Sequence, residues 1–373
     1  MPTTIASLPA ELLLDIFAIA CTDTGYTGCC LTAVSQRFRA LCTGSGVDIE
    51  NVVVNGVEKM EGFLAVLERR EKRARRVKNL LLTDRVGIED TGAGGNHCVA
   101  STSSETCTTS PVLLLDQILR SVSEHDLRIL TIHLPHYRLA IPTSPSVFST
   151  PFPSLTDLTL YAALDFRFFE AFYPCPSLKR LHIAAHNQLP KDFGGSINRI
   201  APHLTHLRLS AVRSLSTSGN LPEVLRAYSN PVDTIHNATI NAKDNRLVDS
   251  IANTNNDAIP INHELPSSVH TLIIGFITFF QSCVARRLGR EQINYLQTTQ
   301  ALRQLADSSN HKPPVSIANA GGRKLVVCPT PAIRSQGDIE EDARECYTRL
   351  RMEWEERVAG REAGWDVMHQ SIS

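Results

Sequence analysis

The hydrophobic positions of the first twenty residues cover more of a helix than one buried face requires. Pro9 suits the first position of a helix, and Glu11 places a negative charge in its first turn. At about 100° per residue, the apolar side chains form two adjacent stripes, and the spacing does not show which one is internal. An ordinary surface helix has an apolar stripe of roughly 100°, so this helix is expected to need a second burial surface outside its own domain. One stripe contains Leu8, Leu12, Ile16 and Ile19, and the other contains Leu13 and Phe17.

A second helix is predicted from about Leu31 to Leu41, because apolar residues recur there at helical spacing. Residues 22–28, between the two helices, are rich in residue types that form turns. The pattern therefore predicts a small helical unit over residues 1–45, which ends in a glycine-rich turn. The apolar positions of the second helix are Leu31, Val34, Phe38 and Leu41.

Beyond residue 48, an apolar-x-x-apolar-x-apolar phrase recurs seven times. Its clearest spacings are 23 residues from Leu155 to Leu178 and 26 residues from Leu178 to Leu204, within the range of about 20–29 residues that is typical of leucine-rich repeats. Each phrase predicts a short strand with alternate residues turned inward. Helix-like segments lie between the phrases, and stacking of such units would form a solenoid. The phrases are Ile49/Val52/Val54, Val77/Leu80/Leu82, Leu127/Leu130/Ile132, Leu155/Leu158/Leu160, Leu178/Leu181/Ile183, Leu204/Leu207/Leu209 and Val269/Leu272/Ile274, and the helix-like segments are 60–73, 112–121, 166–172 and 221–228.

The repeats depart from the standard form and are interrupted. The Asn or Cys that normally follows the last apolar position is replaced by Ala163, His186 and Val212 in three phrases, so an irregular solenoid is expected. Residues 87–111 are rich in Gly, Ser and Thr and are expected to form a mobile loop. A capping-box pattern precedes a helix predicted over residues 338–360. This helix is expected to cover the open end of the solenoid, with a partner-binding helix as the alternative.

Composition excludes several classes of protein. The chain has 373 residues, of which 42% are hydrophobic and 20% are charged, which is typical of a globular protein with a sizeable core. The net charge of -1 gives no overall attraction to nucleic acid or to an anionic membrane. No secretory signal or apolar stretch long enough for a membrane span is recognised. The ten cysteines lack a framework spacing and predict reduced thiols in the cytoplasm or the nucleus.

Motifs of catalysis are not found in the sequence. There is no glycine-rich phosphate loop, nucleophile elbow or zinc-protease motif, so we expect no enzyme activity, cofactor or metal. The adjacent Cys29 and Cys30 are expected to pack in the core rather than to bind metal. The basic run 69–78 is expected to be a solvated helix end, with a nuclear-import or acidic-partner patch as the alternative. Six histidines near the strand phrases are expected to be exposed or at strand edges, with a pH-dependent or metal-binding ladder as the alternative: His133, His136, His182, His186, His203 and His206.

The N-terminal unit resembles the F-box family. The resemblance lies in Leu8-Pro9-x-Glu11-Leu12-Leu13-x-x-Ile16-Phe17 and in Leu31-x-x-Val34-Ser35-x-x-Phe38-Arg39, with Phe38 where a Trp often stands. The connector, which ends in Tyr26-Thr27-Gly28-Cys29, is similar to a variant that is expanded in fungi. The resemblance covers about 40 of the 373 residues. It implies that the unit docks onto a small Skp-type adaptor and, through the adaptor, onto a cullin and a ubiquitin-conjugating enzyme.

These observations predict a small N-terminal helical F-box (residues 1–45), an irregular strand–helix solenoid resembling leucine-rich repeats (46–335) and a C-terminal helix (338–360). The predicted function is the substrate-recognition subunit of a cullin-type ubiquitin ligase, with a protein substrate held on the strand face or the loop edge of the repeats. The alternatives are a non-enzymatic repeat scaffold whose N-terminal helices only cap the solenoid, and a DNA-binding helical pair with Arg37 and Arg39 on phosphate, which the apolar first helix disfavours. The candidate adaptor contacts are Leu8, Pro9, Leu12, Leu13, Ile16, Phe17, Leu31 and Val34.

Overall fold

The computed structural model describes most of the N-terminal half of the chain and separate segments of the rest. The helices are α1 (Ala10–Ala20), α2 (Tyr26–Val34), α3 (Gln36–Ser45), α4 (Val57–Glu68), α5 (Pro111–Ser121), α6 (Phe193–Ile200), α7 (Leu221–Ser229) and α8 (Ile339–Val358). The strands are β1 (Asn51–Asn55), β2 (Asn79–Thr83), β3 (Ile129–Leu139), β4 (Asp157–Leu164), β5 (Arg180–Ala184), β6 (His206–Val212), β7 (Thr271–Phe276), β8 (Ser316–Ala318) and β9 (Lys324–Cys328). The described residues are 5–84, 110–139, 150–164, 169, 172–184, 192–212, 221–229, 264–276, 316–318, 323–328 and 339–361.

The strands form one nine-stranded open sheet in the order β1-β2-β3-β4-β5-β6-β7-β9-β8. Eight of the strands are parallel, and only β8 runs antiparallel to its neighbour β9. From β1 to β7, each strand pairs with the next one along the chain. The seven apolar phrases coincide with β1 to β7, which confirms the strands predicted there, whereas β8 and β9 were not predicted.

One face of the sheet packs against helices to form the main core. Adjacent strands are in register, so their apolar residues stand side by side in rows. Leucine or valine fills one row in every strand from β1 to β7 and in β9, and α4, α5, α6 and α7 cover these rows. The main core therefore runs the length of the sheet. The row contains Val52, Leu80, Leu130, Leu158, Leu181, Leu207, Leu272 and Leu325.

The same backbone arrangement recurs where successive strands begin. The carbonyl oxygen of Glu50 accepts hydrogen bonds from two consecutive N–H groups, those of Lys78 and Asn79. Such paired bonds occur at six junctions in the described residues. Successive strands are thus joined by the same pair of main-chain hydrogen bonds, which does not depend on a particular side chain. The other five acceptors are the carbonyl oxygens of Lys78, Arg128, Thr156, Lys179 and Thr205.

The N-terminal unit contains three α-helices, so the single second helix predicted from about Leu31 to Leu41 is wrong. Ser35 is extended, and its Oγ accepts a hydrogen bond from the backbone N–H of Phe38 at 3.1 Å. This serine cap ends α2 and begins α3. Leu13 and Phe17 of α1 pack against Phe38 and Cys42 of α3, and the rings of Phe17 and Phe38 meet edge to face at 4.9 Å.

The remaining predicted helices are mostly confirmed. The segment 112–121 corresponds to α5 and 221–228 to α7, while 60–73 is divided between α4 and a short 3₁₀ turn at Lys72–Ala74. α6 was not predicted. Most of the predicted helix over 166–172 and nearly all of the loop 87–111 lie outside the described residues.

The C-terminal helix is present as α8, but its expected position at the open end of the array is wrong. α8 lies on the face of the sheet opposite the main core, which we call the second face. Tyr347 and Trp354 of α8 pack there against Leu81 of β2 and Ile129 of β3. The helix therefore lies across a face of the sheet, from β1 to β6, rather than over an end.

Candidate functional site

The structure separates the two apolar stripes of α1. Leu13 and Phe17 are 0% and 1% exposed and form the interior of the N-terminal unit. Leu12, Ile16 and Ile19 are 49%, 40% and 77% exposed. One stripe thus holds the unit together, and the other presents large aliphatic side chains to solvent. We call Leu12, Ile16 and Ile19 the outer stripe.

The eight candidate adaptor contacts fall into three groups. Leu13 and Phe17 have almost no surface left for a partner. Leu8 and Leu31 are half-buried against the interior of the unit. Val34, at the end of α2, is exposed, and so is Tyr26 at the start of that helix, which the apolar spacing did not mark as a candidate. The exposed candidates are Pro9, Leu12, Ile16 and Val34.

Polar contacts at the surface hold the three helices in this arrangement. The Arg37 guanidinium donates to the carbonyl oxygen of Leu8 at 2.7 Å, and that of Arg39 donates to the carbonyl oxygen of Thr32 at 3.0 Å. Both arginines suggested for phosphate contact are therefore engaged with the backbone of the unit. This arrangement gives no support to the DNA-binding alternative.

The N-terminal unit is firmly joined to the sheet. Gly28 packs directly on Asp48, and a Cβ at position 28 would come within 2.4 Å of the Asp48 carbonyl oxygen. The Asn51 amide donates to the carbonyl oxygen of Cys21 at 2.7 Å, and the N–H of Val53 donates to the carbonyl oxygen of Thr24 at 3.4 Å. Since β1 is an edge strand, the connector between α1 and α2 covers part of an otherwise open edge.

A buried ion pair reinforces this junction. Arg70 makes two parallel hydrogen bonds to the carboxylate of Asp48, at 2.7 and 2.6 Å, and the two side chains are only 9% and 6% exposed. Lys78 lies 2.6 Å from a carboxylate oxygen of Glu50. The expectation of a solvated helix end for the run 69–78 is therefore wrong for Arg70. Arg73 of the same run is exposed.

The cysteines of the N-terminal unit are not distributed as expected. Cys29 and Cys30 are exposed, so their predicted core packing is wrong, whereas Cys21 and Cys42 are buried. Burial raises the pKa of the Cys21 thiol to about 12 and that of Cys42 to about 11. Within the described residues, no group of three or more histidine, cysteine or acidic side chains is placed to hold a metal ion.

Beneath α8, the second face of the sheet carries a row of polar and charged side chains. From β3 to β6, the row consists of Thr131, Thr159, His182 and Arg208, all buried. His182 Nε2 lies 2.9 Å from the hydroxyl oxygen of Ser210. Burial, together with the nearby cationic arginines, holds the pKa of His182 well below its usual value. This imidazole is therefore neutral at physiological pH.

The expectation of exposed or edge histidines is wrong for two of the six. His133 and His182 are buried, and the His133 ring lies between Tyr161 of the sheet and Tyr347 of α8, with ring centroids at 4.8 and 5.8 Å. His203 is exposed, and His206 is half-buried. The side chains of His136 and His186 lie outside the described residues.

Glu353 of α8 supplies the negative charge that pairs with the buried arginines at this face. The Glu353 carboxylate accepts a hydrogen bond from Arg208 at 2.9 Å and another from Arg357 at 3.3 Å. Arg357 also donates to the hydroxyl of Thr159 at 3.1 Å, and the Tyr347 hydroxyl donates to Asn55 Oδ1 at 2.8 Å. The surface expected to receive a substrate is thus partly occupied by the chain's own helix.

Comparisons with protein families, curated proteins and solved structures found no match to this chain. Among the helices that the structure describes, none combines the length and the apolar character needed to cross a lipid bilayer.

Proposed function

We propose that the chain is the substrate-recognition subunit of a cullin-type ubiquitin ligase, and that its N-terminal unit is an F-box. The observation that carries the proposal is the outer stripe. Three large aliphatic side chains lie exposed on a helix whose opposite stripe is fully buried. An isolated domain gains nothing from this exposure, whereas a docking helix requires it.

The energetics of the stripe fit a docking role. Complete burial of a large aliphatic side chain stabilises by roughly 1.5–3 kcal/mol. Leu12 and Ile16 already bury about half of their surface within the chain, so each contributes on the order of 1 kcal/mol when a partner covers the remainder. Ile19, Val34 and Pro9 are exposed apolar residues of the same unit. The partner is a Skp-type adaptor that presents an apolar groove, and no charged pair is required for attachment.

The sheet supports the second half of the proposal, an irregular solenoid resembling leucine-rich repeats. Each strand from β1 to β7 adds beside the one before it, and the paired main-chain hydrogen bonds recur at six junctions in the described residues. Such one-directional growth by a repeated unit is the defining property of a solenoid. The paired bonds at each junction are made by backbone groups, with a threonine hydroxyl added at two of the junctions. They support an array that is connected regularly without the usual Asn or Cys.

The proposed ligase subunit performs no bond chemistry of its own. It holds a protein substrate near the activated ubiquitin, and proximity raises the rate of transfer. The buried Asp48–Arg70 pair and the close contact between Gly28 and Asp48 support this role, because they pack the N-terminal unit against the segments that lead into the sheet.

Co-purification with a Skp-type adaptor tests the proposal. The wild-type chain is expected to retain the adaptor, and the double variant Leu12→Asp plus Ile16→Asp is expected to lose it while remaining folded. Leu113→Asp provides a matched control, because Leu113 is an equally exposed leucine on α5. Failure of the wild type to bind would refute the ligase proposal, and equal binding by the double variant would refute the outer stripe as the interface.

A repeat scaffold without a ubiquitination role is the second candidate, and one observation favours it. The bond from Val53 to Thr24 places the connector of the N-terminal unit over the edge strand β1, as a cap would be. Deletion of residues 1–45 would therefore destabilise the chain under either function. The surface variants distinguish the two functions, because a scaffold's cap does not need Leu12 and Ile16 exposed.

A further inference from the structure

The contact between α8 and the second face has a small apolar part. Tyr347 and Trp354 meet Leu81 and Ile129 in a cluster that is separate from the main core. The main core, by contrast, has continuous apolar rows across the sheet. Among the described residues, the apolar cluster between α8 and the sheet is thus much smaller than the main core, with Val53 and Val358 packed against it.

Charged side chains form much of the remaining contact. Arg208 lies in the middle of the second face, where its Nε donates to the hydroxyl of Ser210 at 3.2 Å. Its Nη1 donates to Glu353 of α8, and that carboxylate also accepts from Arg357. The sheet therefore presents a fixed, buried guanidinium that selects an acidic side chain from the helix that covers it.

Two buried polar atoms in this contact have no hydrogen-bond partner among the described residues. They are Nδ1 of His182, on the sheet, and Nε1 of Trp354, on α8. A buried polar atom without a partner destabilises the packed state relative to one in which the atom is satisfied. A helix that pairs with Nδ1 of His182, and whose own aromatic side chain leaves no buried N–H group without a partner, would fit the face better than α8 does.

We propose that the second face is a recognition site for an amphipathic helix of a partner protein, and that α8 is an exchangeable occupant of this site. The partner helix presents a large aromatic side chain over Leu81 and Ile129 and an acidic side chain to Arg208. In α8, these two groups come from the neighbouring residues Trp354 and Glu353.

Hydrogen exchange on the full chain tests the exchangeability of α8. Local opening of a weakly held element lets its amides exchange without global unfolding. The amides of α8 are expected to exchange at least about a hundredfold faster than those of β3 and β4. An excess of an isotope-labelled synthetic peptide of residues 339–361 is expected to raise the exchange of the chain's own α8 further, because the peptide competes for the face. Equal exchange in α8 and in β3 and β4, or no effect of the peptide, would overturn the proposal.

The recognition chemistry is tested with the same peptide and two chain variants. A Glu353→Lys peptide is expected not to compete, because it presents a cation to Arg208. The fluorescent wild-type peptide is expected to bind the Trp354→Ala chain at least about tenfold more tightly than the wild-type chain, since its own helix is weakened. Met352→Ala, at an exposed position of α8, is the matched control and should behave as wild type. Protection of the β3 and β4 amides reports whether each variant is folded. Competition by the Glu353→Lys peptide, or equal binding by the folded Trp354→Ala and Met352→Ala chains, would overturn the proposed chemistry.

Discussion

The ion pair between Asp48 and Arg70 makes a quantitative prediction about the junction between the N-terminal unit and the sheet. Arg70→Met removes the guanidinium and preserves most of the side-chain volume, so the Asp48 carboxylate is left buried without its cation. Because the two side chains are 9% and 6% exposed, solvent screens this pair little. Removal of one partner from a buried pair costs about 3–5 kcal/mol. We expect Arg70→Met to lower the free energy of unfolding by an amount in this range.

The same basic run provides the control. Arg73 pairs with Glu71 at 2.7 Å, but these side chains are 82% and 71% exposed. Arg73→Met is therefore expected to change the free energy of unfolding by at most about 0.5 kcal/mol. The double variant Asp48→Asn plus Arg70→Met should be more stable than Arg70→Met alone, since it also removes the unpaired buried charge.

Urea denaturation monitored by circular dichroism measures these differences. The linear extrapolation gives the free energy of unfolding of each variant, and the slope shows whether the surface exposed on unfolding has changed. A loss below about 1 kcal/mol for Arg70→Met, or equal losses for Arg70→Met and Arg73→Met, would refute the structural role assigned to the buried pair.

Three further predictions concern the glycines, the thiols and the buried imidazole. Gly46 has a φ of +80°, and a Cβ there would lie 2.4 Å from a backbone oxygen. Gly46→Ala should therefore lower the free energy of unfolding by more than about 2 kcal/mol. Gly44 lies in open space within α3, so Gly44→Ala should raise the free energy of unfolding by about 0.5 kcal/mol. In the native chain, maleimide labelling followed by peptide mass mapping should find Cys30 modified well before Cys42, because burial raises the pKa of Cys42 to about 11; equal labelling would contradict the described burial. The pKa of His182 is lowered in the fold, so the unfolded state binds its proton first and stability falls as the pH drops below about 6.5, by up to about 1.4 kcal/mol per pH unit. Denaturation at pH 7 and pH 5 should therefore show a smaller loss for His182→Gln than for wild type, and parallel losses would contradict the reasoning.

Local patterns were sufficient for strands β1 to β7 and for several of the helices. A buried apolar residue such as Leu155 precedes a strand, and the alternation of apolar and polar residues after it shows which side chains face the main core. The same information missed α6, since Gly194 and Gly195 near its start weaken the helical propensity of that segment. Ser35 carried a usable signal, because serine is a favoured N-cap, but the apolar spacing across it suggested one continuous helix.

The positions of elements relative to one another required the tertiary structure. Helical periodicity identifies the apolar side of α8, but nothing in that pattern distinguishes the end of a sheet from its face. The roles of the two stripes of α1 depend on its contacts with Phe38 and Cys42. Both residues belong to α3, so the apolar pattern of α1 alone does not identify the buried stripe. Arg70 was grouped with its exposed neighbours because its partner, Asp48, lies 22 residues away in the sequence.

The central claim is that α1 uses its inner stripe for stability and its outer stripe for docking. The affinity of a Skp-type adaptor for the full chain, measured by titration calorimetry alongside the thermal unfolding midpoint, tests it most directly. For Leu12→Ala plus Ile16→Ala, the loss of about 2 kcal/mol of apolar burial predicts an affinity at least about tenfold weaker, in a chain that still folds cooperatively with a modestly lower unfolding midpoint. An unchanged affinity, or an affinity loss in a variant that no longer folds, would contradict the account.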